Sequence, residues 1–158
     1  MATIYREYRN LEKSIIDQIT TLLATDWSGW NIRVEKSFAQ VYKGALPCIC
    51  IKLEEPIPSR LQVGSDAYLQ VFTVSYRIFA QDDGSRLDLA DWSISKIMQS
   101  FDYREYTITN GVASYVKTGR IAIQNIKANR PEIINLEKLS EEDRYRHLIT
   151  FTCRVALS

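Results

Sequence analysis

The chain has 158 residues, 46% hydrophobic and 25% charged, enough for about one domain whose core needs no disulfide or metal. Twenty basic residues against nineteen acidic ones leave a formal net charge of +1, which gives no electrostatic ground for nucleic acid or a membrane surface as the main partner. No apolar run approaches the ~20 residues of a membrane span. The opening MATIYREYRNLEK lacks the pattern of a secretory signal, so the three cysteines are expected as reduced thiols in a cytoplasm.

Tyr5 to Thr25 reads as the first helix. Tyr8, Leu11, Ile15, Ile19 and Leu22 recur every three or four residues, with Ile16 and Leu23 widening the stripe. DWSGW (26–30) breaks it, with Gly29 the flexible point. Asn31 to Ser37 alternates apolar and charged residues as a half-exposed strand. Leu46 to Glu55 is a stronger strand, with Ile49, Ile51 and Leu53 facing one way and Cys48, Cys50 and Lys52 the other. Pro56 to Asp66, with two prolines and a glycine, reads as a loop or an arm projecting from the sheet edge. Ala67 to Gln81 is the longest strand, with Phe72, Val74, Tyr76 and Ile78 on one face and Thr73, Ser75 and Arg77 on the other.

Asp82, Asp83 and Gly84 then form a turn. Ser85 is expected as the N-cap of a second helix, with Asp88 three residues on in a capping-box arrangement. That helix shows Leu87, Ala90, Ile94, Ile97, Met98 and Phe101 on one side and should end near Phe101. Between Arg104 and Asn129 stand two turn signals, Asn110-Gly111 and Thr118-Gly119, the first a strong hairpin cue. Arg120 to Ile126 makes a strand, and Arg130 to Arg146 is a charged connection too long for an ordinary hairpin loop. His147 to Leu157 alternates, with Ile149, Phe151, Cys153, Val155 and Leu157 inward. The order predicts a single α+β domain, 1–158: a mostly antiparallel sheet with two helices packed on one face, plus a projecting loop or β-arm.

The search for chemistry finds little. One histidine, His147, cannot form a two-His metal site. Cys48 and Cys50 share a strand face, and Cys153 with His147 would approach them if the last strand were their neighbour. Known zinc ligands favour wider spacing on a turn, so the thiols read as small buried apolar groups. The six glycines form no phosphate-binding pattern. The acids of the Asp82-Asp83 turn are sufficiently explained by turn and helix-start chemistry. No catalytic, cofactor-binding or metal residue is assigned, and an enzyme is not expected.

A first amphipathic helix, a strand block, a long central strand ending FAQDDGSRLDLADWSISKIMQSF (79–101) and a closing alternating strand together resemble the tail terminator (tail-completion) proteins of long-tailed bacteriophages. The likeness covers most of the chain in element order. Its most telling part is the long strand, the Gly-Ser turn and the second helix with Leu87, Leu89 and Trp92. The resemblance implies a virion protein assembled in the host cytoplasm, a hexameric ring capping the head-proximal end of the tail. Such a ring contacts the major tail tube protein, stops its polymerisation and joins the neck (head-completion) protein, with no membrane involved. Genomic DNA passes through its lumen without specific binding, which suits the near-neutral charge. Another neck or tail-tube subunit is the first alternative. A cytoplasmic ligand-binding or enzyme domain, with a site around Cys48, Cys50 and the Asp82-Asp83 turn, is the second.

Two irregular segments are expected to touch neighbouring subunits or the tube. In 56–66 the apolar residues are Ile57, Leu61 and Val63, and in 130–146 they are Ile133, Ile134, Leu136 and Leu139. Arg60, Arg130, Glu132, Glu141 and Glu142 would form a charged rim around them, and Trp92 joins the candidate contact residues.

Overall fold

The computed structural model describes residues 7–54, 57–60, 68–131 and 145–157. The apolar stripe Leu11, Ile15, Ile19 and Leu23 turns helix α1 (Glu7–Asp26) toward the core, while Tyr8 and Leu22 lie off it. Strand β1 (Arg33–Glu35) pairs in parallel with β2 (Cys48–Leu53), and between them lies a single-turn helix α2 (Phe38–Val41). Beyond β2 come β3 (Ile57–Arg60) and β4 (Tyr68–Phe79), then helix α3 (Asp83–Gln99), β5 (Phe101–Thr109), β6 (Val112–Pro131) and β7 (Arg146–Leu157). The strands run in the order β1-β2-β4-β7-β6-β5, with β3 paired to β4 off this path, and every pairing but β1–β2 is antiparallel. The α+β architecture read from the sequence is therefore the one observed.

Strand alternation separates two cores. On one side of the sheet Ile49, Ile51 and Leu53 stand opposite Ile78, Tyr76 and Val74, which meet Ile149 and Phe151 on the next strand. Both long helices cover this side. Phe72, Val74, Tyr76 and Ile78 are each fully buried there, and burial of each such side chain stabilises by about 1.5–3 kcal/mol. Tyr76 places its hydroxyl 2.7 Å from that of Ser93 on α3, so the polar tip stays bonded. On the other side Cys48, Cys50 and Phe79 form a smaller core with Val41, Phe38 and Leu46 under α2. Arg33 holds that unit closed. Its guanidinium donates to the carbonyls of Gln40, Val41 and Ala45 at 3.1, 2.9 and 2.8 Å. The backbone at Gly44 passes so near that a Cβ there would lie 2.5 Å from Arg33 Cζ.

Helix α1 contacts β5 at one end of the sheet order and β1 and β2 at the other, so the sheet curls around it. A polar line on α1 makes the β5 contact. Asn10, Ser14 and Gln18, four residues apart, meet the backbone of Tyr106, Arg104 and Asp102, two residues apart. Two spacings make this possible: four helical residues rise about 6.0 Å and two strand residues about 6.6 Å. Gln18 accepts the Asp102 N–H at 2.9 Å and donates to its carbonyl at 2.8 Å. Ser14 Oγ accepts the Arg104 N–H at 3.0 Å, and Asn10 Oδ1 accepts that of Tyr106 at 3.3 Å. Arg9 completes the line on the Tyr106 carbonyl at 2.8 Å. The edge that β5 would otherwise offer to another chain is covered over these residues.

Four expectations are corrected. The N-cap of α3 is Asp82, whose carboxylate accepts the Ser85 N–H at 2.7 Å, and Ser85 lies buried inside the first turn. The buried side of α3 is Arg86, Leu89, Ala90, Ser93 and Ile97, while Leu87 and Met98 face outward and Ile94 is half-buried. The helix stops at Gln99, and Phe101 already belongs to β5. Thr118-Gly119 is no turn: Tyr103 pairs with Gly119 and Arg104 with Lys117, leaving Thr118 as a bulge within one long strand. The hairpin at Asn110-Gly111 is as expected, both residues with positive φ, 51° and 78°. The connection after Arg130 is partly strand, because β6 runs to Pro131 opposite His147. Residues 57–60 pair with 68–71 as a short strand on β4, while the rest of the segment 56–66 lies outside the described residues.

Candidate functional site

The titratable groups singled out in the sequence are engaged in structural bonds. His147 is buried, and its Nδ1 lies 2.9 Å from Arg86 Nη1. Because a guanidinium only donates, Nδ1 accepts and the ring proton sits on Nε2. Burial and the neighbouring Arg86 charge lower the His147 pKa, with Asp91 acting weakly the other way. Arg86 also grips Asp83 through Nε at 2.9 Å and Nη2 at 2.8 Å. Asp82 thus caps α3, and Asp83 in its first turn anchors an arginine.

The thiols do not converge. Cys48 and Cys50 lie under α2, whereas Cys153 faces the long helices on β7, separated from β2 by β4. Burial pushes Cys48 up to about 11, Cys153 up to about 12, and Cys50 upward as well. Such thiols are poor nucleophiles near neutral pH. Among the described residues no three His, Cys, Asp or Glu side chains gather to hold a metal ion.

Of the predicted contact residues, Trp92 is half-buried and bonded to α1. Its indole N–H donates to Asp26 at 2.9 Å and its ring meets Trp27 edge-on at 6.5 Å. Lys96 adds an ion pair to the same carboxylate at 3.1 Å, and these two partners hold Asp26 below the usual carboxylate range. The group ties the end of α1 to α3. Ile57 and Arg60 are placed by their backbone in β3, opposite Val71 and Tyr68. Arg130 lies in β6, in the irregular stretch between the paired Ala128 and Pro131. Leu61, Val63, Glu132, Ile133, Ile134, Leu136, Leu139, Glu141 and Glu142 lie outside the described residues.

The structure adds a surface that was not picked out in the sequence. Beyond Tyr106 the β5–β6 hairpin projects past the cover of α1, and apolar side chains line both of its faces. Val112 and Val116, 71% and 68% exposed, lie on one face. Ile108 and Tyr115, each about half exposed, lie on the other. Tyr115 is braced by the Tyr106 ring at 5.5 Å and by Arg104, whose guanidinium sits 4.2 Å from the ring centre. Asn110-Gly111 marked the turn. Apolar residues at both odd and even positions on its flanks were the signal for a two-faced arm, since one helix layer can cover only one face.

Beside the arm, a cleft of about 390 Å³ runs between α1 and β1, lined by Arg9, Glu12, Lys13, Asp17, Glu35 and Lys36 with Ile108 at its rim. Partial burial raises the Glu12 pKa, with Lys36 acting the other way. Charges of both signs alternate along this cleft, which marks no preference for an anionic or cationic ligand. No helix among the described residues is long and apolar enough to cross a membrane. Comparison with models of known protein families and with curated proteins finds no match.

Proposed function

We propose that the protein is a structural subunit of a long-tailed phage, a tail terminator that forms a hexameric ring on the head-proximal end of the tail tube. The ring stops polymerisation of the major tail tube protein and offers its other face to the neck protein. DNA passes through the lumen without specific binding. The phage assignment rests on the resemblance in element order. The observation that carries an assembly role is the hairpin, with exposed apolar groups on both faces and Tyr115 braced by ring and guanidinium contacts across its two strands. Apolar surface of this kind is favourable to cover and marks interaction sites. A catalytic reading has less support, because His147, Cys48, Cys50, Asp82 and Asp83 are all engaged in packing or capping.

Native mass measurement tests the reading directly. A six-chain particle that appears as a ring with a central hole in negative stain is the expected result. A chain that stays monomeric at tens of micromolar would refute it. Replacing Ile133–Leu139 by a Gly-Ser linker tests that segment separately: a folded protein that still forms rings would remove it from the interface.

A further inference from the structure

Helix α3 carries a second apolar line at the margin of the core, where only its middle member, the half-buried Ile94, packs against the core. Leu87, Ile94 and Met98 fall at spacings of seven and four residues, within a narrow arc of the helix, and Asp91 lies between them on the same line. Leu87 is about half exposed and Met98 is 71% exposed. The two ends of the line therefore face solvent, with the exposed Asp91 between them and Asp88 beside it.

The hairpin is the counterpart by charge. Its Ile108–Tyr115 face also carries Arg104, with Lys117 opposite it across the strands and ion-paired to Asp102 at 3.1 Å. Contact between two α3 lines would oppose aspartate to aspartate, and contact between two such hairpin faces would oppose Arg104 to Arg104. Contact of hairpin with α3 covers apolar surface on both sides and matches opposite charges. One chain cannot make this contact with itself. Asn10 sits beside Tyr106 near one end of α1, and Asp26 beside Trp92 at the other. Their separation along the helix is roughly 24 Å at 1.5 Å per residue. We infer that the hairpin of one copy docks on the Leu87–Met98 line of the next, a head-to-tail contact that repeats from chain to chain. The inference rests on the self-assembly part of the proposed function and is independent of the tube and neck partners.

Sedimentation velocity on three proteins decides it: the unaltered chain, an arm variant with Ile108→Ser and Tyr115→Ser, and a helix variant with Leu87→Ser and Met98→Ser. The altered side chains are about half exposed or more, and near-UV circular dichroism checks that each variant folds. Should one fail, Tyr115→Thr or Met98→Gln takes its place. The expected result is a multimer for the unaltered chain and a monomer for each variant. An equimolar mixture of the two variants should give a species of twice the monomer mass and nothing larger, because each supplies one intact surface. Variants that assemble like the unaltered chain would overturn this contact while leaving the ring reading standing. Monomeric variants whose mixture stays monomeric would also overturn it. An unaltered chain that is itself monomeric would overturn both.

Discussion

Ser14→Ala removes one oxygen from a fully buried position and isolates the join between α1 and β5. In the native chain Ser14 Oγ accepts the Arg104 N–H at 3.0 Å and donates to the Asn10 carbonyl at 2.6 Å. The carbonyl keeps its helical partner after the change, so the loss falls on the Arg104 N–H, enclosed beneath the helix. A buried donor left without a partner costs about 1–3 kcal/mol. Alanine returns up to roughly 0.5 kcal/mol of helix propensity, so the expected net loss is about 0.5–3 kcal/mol. Thr20→Ala is the matched control: Thr20 bonds back to the Ile16 carbonyl at 2.7 Å in the same way but lies exposed and touches no strand. Urea denaturation should show a lower midpoint at constant slope for Ser14→Ala and a shift below about 0.5 kcal/mol for Thr20→Ala. Amide exchange at Arg104 should quicken with it. Equal stability of the two variants, with Arg104 protection unchanged, would refute the idea that the side-chain line closes the sheet edge.

The remaining predictions follow from the same contacts. Asp82→Ala should cost about 0.5–2 kcal/mol as loss of the true cap, whereas Ser85→Ala should stay within a few tenths; reversed values in thermal melts would restore Ser85 as the cap. Ile78→Ala in the full core should cost on the order of 2–5 kcal/mol and half-buried Ile94→Ala clearly less, so equal losses would mean the α3 face is misassigned. The lowered His147 pKa means that the unfolded chain binds a proton near pH 6.5 before the folded one does. Stability tied to this group is therefore complete above about pH 6.5 and falls as the pH drops through the lower folded value. His147→Gln should flatten the decline between about pH 7 and pH 5, and an unchanged slope would exclude His147 as its source. Iodoacetamide at mildly alkaline pH should leave Cys48, Cys50 and Cys153 unmodified until denaturant is added; rapid labelling of the native chain would contradict their burial.

Much of the scaffold was legible because strand alternation is a strong signal wherever one face meets a core. Phe72, Val74, Tyr76 and Ile78, and likewise Ile149, Phe151 and Cys153, point where their order implies. What was missed had signals that local pattern cannot separate. Asn10, Ser14 and Gln18 look like part of a solvated helix face, and only the curl of the sheet, a long-range event, turns them into partners for a strand. Helix α3 has apolar residues along two lines, so the stripe read from sequence merged a buried line with an exposed one. Thr118-Gly119 carries turn chemistry, yet a bulge uses the same residues without reversing the chain. Helix α2 is one turn, too short for a period to register. The expected contact segments were inferred from irregularity and apolar content. On β5 the hairpin alternates as an ordinary sheet strand does, and only its β6 flank, apolar at both odd and even positions, departs from that pattern.

Strand β6 gives the molecule a mechanical property. It is 20 residues long, so at about 3.3 Å per residue it spans roughly 66 Å of chain if fully extended. It pairs with β5 over its first part and with β7 from Gly119 to Pro131. Its start is the exposed arm, and its end leads directly into the segment 132–144. A pull on the arm along the strand loads many ladder bonds together in shear, rather than opening them one at a time. The bulges at Thr118 and Asn125–Ile126 are the places where such a rod can bend. Strain introduced at a subunit contact on the arm would thus reach the opposite end of the protein through one continuous backbone, as tension in a tie-bar does.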